Sequence, residues 1–276
     1  MKISLVFMTY NRLDYTKLAL KSLLADPSEE FALTIWDNAS TDGTQDYLKT
    51  VKDRRIVDVV FSDQNKGQTY VTNKVWNATS AQLVGKVDND CLVTPGWTRI
   101  LTQAHKDLQN LGVVGCWHFS PDEFCYERAK HKIQTFGKHQ IFRHPWVDGS
   151  ALLLKRTTFM ECGPCKEDEY LTKFWLRLAL KGYVNGYYYP LIYQVHMDYP
   201  WSKYYAFSDK HQKGFEMSAT GSHIGIRTLE EAKAWHQVVV STVLDEPWDA
   251  KYYVGWRGKL RRAKAKLRRI LKNSAF

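Results

Sequence analysis

The sequence lacks several features that would place it outside ordinary globular proteins. Its 276 residues contain no run of roughly 18 apolar residues, so we expect no membrane span. Residues 1–12 lack the small-residue cleavage site of a secretory signal peptide, so no signal peptide is expected. Cysteine is scarce and odd in number, at five. This count favours reduced thiols in a cytoplasmic protein over a disulfide framework.

Acidic residues are missing from one segment, and that gap explains the net charge. The chain has a formal charge of +10, and residues 257–272 hold nine Lys or Arg without an acid. The remainder is therefore close to neutral. A nucleic-acid enzyme more often spreads positive charge along its binding groove, so nucleic acid is a less favoured partner.

The N-terminal half alternates short apolar runs with segments of helical periodicity. The predicted strands are 3–8, 31–36, 56–61 and 83–87, and the predicted helices are 13–25, 44–52 and 68–78. Strands that alternate with helices predict βαβ units and a mainly parallel sheet.

Polar clusters follow three of these strands. They are residues 9–12, 37–44 and 88–90. Ligands bind at the carboxyl ends of the strands in such sheets, so we expect the three clusters to meet at one sheet edge.

The second half is less regular. Strands are predicted at 111–117, 147–154 and 187–195, and a helix at 167–180. Residues 120–144 are polar, charged and aromatic without a clear period, and are interpreted as a loop-rich region.

Two acidic positions carry the chemical argument. Asp88 and Asp90 follow a buried strand, where carboxylates can hold a hard divalent cation such as Mg²⁺ or Mn²⁺. A solvated acidic turn is the alternative.

Asp37 can accept a hydrogen bond from a base or a ribose, or it can simply shape an Asx turn.

Taken together, these motifs resemble family 2 glycosyltransferases with the GT-A fold. The resemblance covers residues 1–100 firmly and 145–200 loosely. The matching residues are Thr9-Tyr10-Asn11-Arg12, Asp37-Asn38-Ala39-Ser40-Thr41-Asp42-Gly43-Thr44, Asn65-Lys66-Gly67, Asn73 and Asp88-Asn89-Asp90.

The resemblance implies a fold and a donor. The expected fold is a GT-A-like, Rossmann-type α/β domain with a mainly parallel sheet and a C-terminal basic amphipathic helix. The expected reaction is an inverting transfer from a nucleotide sugar, most often a UDP-sugar, with Mn²⁺ or Mg²⁺ as cofactor. The implied donor-binding residues are Thr9, Asn11, Arg12, Asp37, Asn65, Gly67, Asn73 and Asp88.

The resemblance also implies metal ligands and a general base. Asp88 and Asp90 would bind the metal, and His196 would complete the site unless it is a satisfied, partly buried histidine. The base falls within Glu167, Asp168 and Glu169. Asp168 is preferred and Glu169 is second, although acids at a helix start also stabilise the helix dipole.

Trp146, Asp148 and Gly149 are the candidate acceptor residues, since Trp146 can stack on a sugar face. A purely structural role is equally open for them. The spacing of Cys162 and Cys165 copies a redox pair, but the pair lacks a thioredoxin-like setting, so redox function is not expected.

The basic tail predicts a peripheral location. Apolar residues at helical spacing oppose Lys and Arg in residues 257–272, which favours an anionic membrane surface over a solvated helix or nucleic acid. We therefore expect a cytoplasmic protein at the inner membrane face, with a glycan or lipid-linked acceptor. The predicted domains are 1–225, with a nucleotide-sugar-binding half at 1–100 and an acceptor-binding half at 101–225, and a helical extension at 226–276.

Three other functions stay open. A nucleotidyltransferase usually has a glycine-rich phosphate loop after its first strand, and residues 9–12 contain no glycine. A glycosyltransferase acting on modified DNA or on protein would use the basic tail on phosphates. A non-catalytic sugar-binding module would not need Asp88, Asp90 and a base together.

Overall fold

A nine-stranded mixed sheet organises the chain in the computed structural model, which describes residues 1–27, 31–166, 169–205 and 225–263. A separate pair of short strands lies beside it. The strands are β1 (Ile3–Thr9), β2 (Phe31–Asp37), β3 (Ile56–Phe61), β4 (Leu83–Asp88), β5 (Cys91–Val93), β6 (Leu111–Gly115), β7 (Ile133–Phe136), β8 (His139–Arg143), β9 (Leu152–Lys155), β10 (Val184–Tyr189) and β11 (Gln194–His196).

Helices cover both faces of this sheet. They are α1 (Leu13–Leu24), α2 (Thr44–Thr50), α3 (Gly67–Ala78), α4 (Trp97–Asp107), α5 (Tyr126–Ala129), α6 (Arg156–Cys162), α7 (Leu171–Leu180) and α8 (Leu229–Asp245). Residues 255–263 are also helical.

The sheet order explains the fold class. The order is β3-β2-β1-β4-β9-β6-β10-β8-β7, and β5 pairs with β11. Strands β3, β2, β1 and β4 are parallel, whereas β9 runs antiparallel to both β4 and β6. The predicted α/β class is confirmed, with parallel pairing of β3, β2, β1 and β4.

Strand β1 lies at the centre because its sequence suits burial on both faces. All seven of its residues are buried. Leu5 and Phe7 pack into one hydrophobic cluster with α1, while Val6 and Met8 pack into a second cluster with α3. A continuous apolar run is typical of a strand covered by helices on both sides.

The carboxyl ends of three strands meet as the sequence predicts. Thr9 pairs with Asp37 in the ladder between β1 and β2, and Met8 pairs with Asp88 in the ladder between β1 and β4. The backbone N–H of Asn89 donates to Met8 O at 3.1 Å. The three polar clusters therefore share one sheet edge.

Several elements in the second half differ from the sequence prediction. Residues 120–144 contain a β-hairpin, β7 and β8, at the sheet edge, so the loop-rich interpretation is wrong. The strand predicted at 147–154 begins only at Leu152, because Ala151 adopts a left-handed conformation at φ 48°. Pro190 has no N–H for a ladder and separates β10 from β11.

The C-terminal helix α8 packs against the rest of the chain. Its N-terminus has a capping box formed by Thr228 and Glu231. Val240, Val243 and Leu244 lie in the second hydrophobic cluster. Residues 264–276 of the predicted basic helix lie outside the described residues, and the domain boundary at 226 stays a prediction. Among the described residues, none of the helices is both long and apolar enough to cross a bilayer.

Asp26 holds α1 to α4 across a long stretch of sequence. This carboxylate is 2% exposed; its Oδ2 accepts from the Gly96 N–H at 3.0 Å and its Oδ1 from the Thr98 hydroxyl at 3.1 Å. It therefore fixes the start of α4, through the backbone N–H of the N-cap residue Gly96 and the side chain of Thr98 in the first turn.

We expect Asp26→Ala to lower the free energy of unfolding by about 2 kcal/mol, because the α4 donors would lose a buried acceptor. Urea denaturation measures the change. Asp14→Ala is the matched control, since the Asp14 side chain is 93% exposed. Equal midpoints for the two variants would contradict this role of Asp26.

Candidate active site

A buried hydrogen-bond network fixes the end of β1. Asn89 Nδ2 donates to Thr9 Oγ1 and to Thr16 Oγ1, each at 3.1 Å. The Thr9 and Thr16 hydroxyls are 2.9 Å apart. The side chain of Thr9, a predicted donor-binding residue, is thus used within the protein, and it positions the loop after β1 rather than facing an open cleft.

The next two residues adopt left-handed conformations. Asn11 has φ 53° and Arg12 has φ 62°, which is uncommon outside glycine. Asn11 Oδ1 accepts from the Thr41 N–H at 2.9 Å, and the Asn11 N–H donates to Ser40 Oγ at 2.7 Å. These bonds join the loop after β1 to the loop after β2.

Asp37 presents a buried carboxylate oxygen without a partner. Its Oδ2 accepts from the Ser40 N–H at 3.0 Å and from Gln45 Nε2 at 2.8 Å. Its Oδ1 has no hydrogen bond from the described part of the chain. Buried polar atoms are rarely left unpaired, so this oxygen is suited to accept from a ligand N–H or O–H.

The predicted donor-binding residues around α3 have two different structural roles, one at the start of the helix and one along it. Asn65 Oδ1 accepts from the Gly67 N–H at 2.9 Å and shapes the turn into the helix. Asn73 lies further along α3, where Nδ2 donates to Cys165 O at 2.7 Å and Oδ1 accepts from the Cys165 N–H at 3.0 Å. The amide of Asn73 therefore fastens the segment after α6 and is not part of the carboxylate cluster.

Asp88 is held by a lysine that the sequence analysis did not identify. Lys86 is fully buried, and its Nζ donates to Asp88 Oδ2 at 2.8 Å and to Gln68 Oε1. The Asp88 N–H donates to Ser150 Oγ at 3.0 Å. The only sequence signal for Lys86 was a charged residue inside an apolar strand, which is seldom buried without a partner.

Asp90 belongs to a second charged group that includes another unpredicted residue. Arg12 Nη1 forms an ion pair with Asp198 and lies 3.4 Å from Asp90 Oδ2. His196 Nε2 lies 3.7 Å from the same Asp90 oxygen. Asp198 follows His196 closely in the sequence, and this neighbourhood was its only sequence signal.

Burial and neighbouring charges affect these carboxylates differently. Burial raises the pKa of Asp88 and of Asp198, although Lys86 and Arg12 oppose the rise. Burial also acts on Asp90, but His196 and Arg12 outweigh it and lower the pKa of that carboxyl.

The donor set fits a hard divalent cation. Three carboxylates, those of Asp88, Asp90 and Asp198, pair with two permanently cationic side chains in the described part of the chain, Arg12 and Lys86. Asp198 Oδ1 is buried without a partner among the described residues. Oxygen ligands with excess negative charge are the environment that Mg²⁺ and Mn²⁺ prefer.

Two predicted acceptor residues lie beside this cluster. A Cβ on Gly149 would lie 3.3 Å from Asp88 Oδ2, so the backbone passes close to that carboxylate. The Tyr187 hydroxyl donates to Asp148 Oδ2 at 2.6 Å, and burial raises the pKa of Asp148. Trp146 instead packs edge-on against Tyr253, with ring centroids 4.7 Å apart.

The candidate base region is only partly described. Glu167 and Asp168 lie outside the described residues. Glu169 is buried and forms a two-point ion pair with Arg177, with Nε–Oε1 at 3.0 Å and Nη2–Oε2 at 2.7 Å. Thr69 Oγ1 donates to Glu169 O at 2.8 Å, which places this segment beside the start of α3.

Cys162 and Cys165 do not have the features of a reactive pair. Both thiols are buried and unoxidised. Burial raises the pKa of Cys165 to about 12, whereas redox cysteines require a lowered pKa.

Comparison with known proteins gives the relatives of this chain. TuaG of Bacillus subtilis, whose name attributes to it a glycosyltransferase role in teichuronic acid biosynthesis, is 31% identical over 90 residues, or 32% of this chain and 35% of TuaG. An uncharacterised glycosyltransferase of Nostoc is 26% identical over 121 residues, or 43% of this chain and 36% of the relative. The matched segments therefore span about a third of the length of each of these curated relatives.

Solved structures share the fold at low identity. The mannosyltransferase PcManGT from Pyrobaculum calidifontis, solved with GDP-Man and Mn²⁺, superposes with a TM-score of 0.58 at 18% identity, covering 96% of this chain and 80% of PcManGT. Residues 1–349 of S. aureus TarS give 0.55 at 16% identity, covering 91% and 83%.

The family model matches the chain from the first strand to the turn after α6. Residues 4–166 match the model of glycosyl transferase family 2, a range that runs from β1 to the turn after α6. This range contains the three polar clusters at the sheet edge and the residues beside Asp88. Because the match covers more than half of the sequence, the chain belongs to glycosyl transferase family 2.

Proposed function

We propose that this protein is an inverting, metal-dependent glycosyltransferase that moves a sugar from a nucleotide sugar to an acceptor hydroxyl. The observation that carries the proposal is the position of three carboxylates at one sheet edge. Asp37 ends β2, Asp88 ends β4, and Asp90 follows β4 beside Arg12. Open α/β sheets bind nucleotides at this position. Family membership supports the same reaction class.

The donor nucleotide would lie across the loops after β1 and β2. The unpartnered Asp37 Oδ1 would accept a hydrogen bond from the base or ribose. A UDP-sugar is the favoured donor on the motif resemblance. The structural neighbours were solved with GDP-Man or with UDP-GlcNAc, so the fold is compatible with either nucleotide.

Asp88 and Asp90 would hold Mn²⁺ or Mg²⁺, and His196 is placed to contribute a nitrogen. When bound, such a cation offsets the negative charge on the departing diphosphate. Lys86 fixes Asp88 and Arg12 fixes Asp90, so both carboxylates are oriented before ligand binding. Preorganised charge is more effective than charge that must rearrange during the reaction.

The acceptor hydroxyl must lose a proton as its oxygen attacks the anomeric carbon. Both Glu169 oxygens are engaged by Arg177, which makes Glu169 a structural clamp. Glu167 and Asp168 are then the candidates, and on the motif resemblance we propose Asp168 as the base. Asp148 and the backbone at Gly149 would line the acceptor side of Asp88.

The acceptor is proposed to be a glycan or lipid-linked sugar at an anionic membrane surface. In the described part of the tail, Trp256 is 71% exposed and Leu260 is 48% exposed, beside Arg257 and Lys259. Exposed apolar side chains beside basic ones suit a membrane interface. A role on DNA or protein, or nucleotidyl transfer, remains the alternative that the experiments below separate.

Removal of the Asp90 carboxylate tests the proposed metal site. Asp90→Ala should reduce metal-dependent nucleotide release by roughly 10²-fold or more, because the cation loses a fixed ligand and Arg12 a partner. The assay measures hydrolysis of a panel of nucleotide sugars with and without Mn²⁺. Asp46→Ala is the control, since the Asp46 side chain is 84% exposed. Wild-type release by Asp90→Ala would contradict the assignment.

The second prediction separates the acids around Asp168. Asp168→Asn should lower kcat by roughly 10²- to 10⁴-fold, with nucleotide binding unchanged, because only proton removal is lost. Glu167→Gln should stay near wild type. Glu169→Gln should lower thermal stability through the lost Arg177 pair. A larger loss of kcat in Glu167→Gln than in Asp168→Asn would refute the assignment of the base.

The third prediction concerns the tail. Truncation after residue 263 removes five of the nine basic residues in 257–272 and keeps the described fold. The truncated protein should bind anionic liposomes more weakly in co-sedimentation, whereas neutral liposomes should bind neither form. Unchanged liposome binding, or steeply salt-dependent binding to DNA by the full chain alone, would contradict the membrane role.

A further inference from the structure

We propose that Cys91, His118 and His196 form a binding site for a thiophilic divalent cation such as Zn²⁺, which overlaps the proposed Mn²⁺ or Mg²⁺ site at His196 and differs from it in ligand chemistry. Ligand atoms of the three side chains all lie within 4.8 Å of one another. Cys91 is fully buried and His118 is 7% exposed. The cation-binding site itself does not rest on the proposed function.

The backbone holds these three positions together. Cys91 and His196 are directly paired residues of the antiparallel strands β5 and β11, so their side chains share one face. His118 follows Trp117, which forms a β-bridge with Tyr193 just before β11. Ligands on paired strands need little rearrangement to converge on an ion.

Unpartnered nitrogens point to a ligand. Nδ1 of His118 and Nδ1 of His196 are buried and receive no hydrogen bond from the described part of the chain. The two rings lie 4.6 Å apart at an angle of 75°. Buried polar groups in folded proteins are usually paired, so an unpaired ring nitrogen is suited to a ligand.

Asp90 lies close to two of these three side chains. Cys91 Sγ lies 3.4 Å from Asp90 Oδ1, and His196 Nε2 lies 3.7 Å from Asp90 Oδ2. Ligand atoms in a tetrahedral zinc site, with Zn–N of about 2.0 Å and Zn–S of about 2.3 Å, are roughly 3.3–3.8 Å apart. Both contacts with Asp90 fall within this range, and they involve different oxygens of its carboxylate.

Ligand chemistry selects the cation. A thiol and two imidazoles favour Zn²⁺ and related ions, whereas Mg²⁺ and Mn²⁺ prefer carboxylates and phosphate oxygens. Binding would release the Cys91 thiol proton to solvent, because a coordinated cysteine is a thiolate. The site shares His196 with the proposed donor metal and adjoins Asp90, so Zn²⁺ would exclude Mn²⁺ from that site; this consequence alone rests on the proposed function.

Co²⁺ is the spectroscopic probe for the site. The full-length protein, stripped of metal and titrated with Co²⁺, should show a thiolate-to-cobalt charge-transfer band and intense visible bands of tetrahedral cobalt, both abolished by Zn²⁺. Cys91→Ser should lose the charge-transfer band. His118→Asn should weaken Co²⁺ binding at least about tenfold, since removing even an outer-shell partner has that effect.

Two controls separate this cluster from the other buried cysteines. Cys116→Ser removes another buried thiol and should keep the wild-type spectrum. The double variant Cys162→Ser and Cys165→Ser should also keep it. Circular dichroism checks the fold of each variant, and His118→Asn carries the test if Cys91→Ser does not fold.

Specific outcomes would overturn the proposal. They are the absence of a charge-transfer band in folded wild type, its persistence in Cys91→Ser, or its loss only in the Cys162 and Cys165 double variant. Failure of nucleotide-sugar turnover alongside a normal cobalt spectrum would overturn the proposed function and leave this site in place.

Discussion

The parallel pairing of β1 with β2 on one side and β4 on the other is the constraint on which the site depends. The ladders place Thr9 beside Asp37 and Met8 beside Asp88. Side chains from distant parts of the sequence therefore meet at one edge. The buried amide of Asn89 then fixes the ends of β1 and β4 relative to each other. Without this register, Asp37 and Asp88 would be separate acidic turns.

Charge compensation shapes the site in the same way. The buried Lys86 forms an ion pair with Asp88, and Arg12 lies between Asp90 and Asp198. Burying an isolated charge costs several kcal/mol in practice, so each cation requires its carboxylate partner. The left-handed conformation of Arg12 is tolerated because the loop after β2 holds the neighbouring Asn11. Strain at this loop is thus offset by hydrogen bonds that also assemble the candidate active site.

The antiparallel strand β9 joins the two halves of the molecule. It lies between β4 and β6 and carries the segment containing Gly149 and Ser150 to Asp88. On the other side, the Glu169–Arg177 pair and the amide of Asn73 anchor the chain that leads into α7. Both attachments bring later sequence to the edge defined by β1 and β4, which is where we propose that the donor binds.

The sequence alone determined the alternating strands and helices of the N-terminal half, the meeting of its polar clusters and the family. Short-range patterns suffice there, because each strand is a continuous apolar run that ends in a polar turn. Only the tertiary structure decided that Thr9 and Asn73 serve the framework, that Glu169 is an ion-pair partner, and that residues 120–144 form a hairpin. It also brought Lys86, Asp198 and His118 into the site. These roles depend on contacts between residues far apart in the sequence, and local periodicity carries no information about which partner a side chain meets.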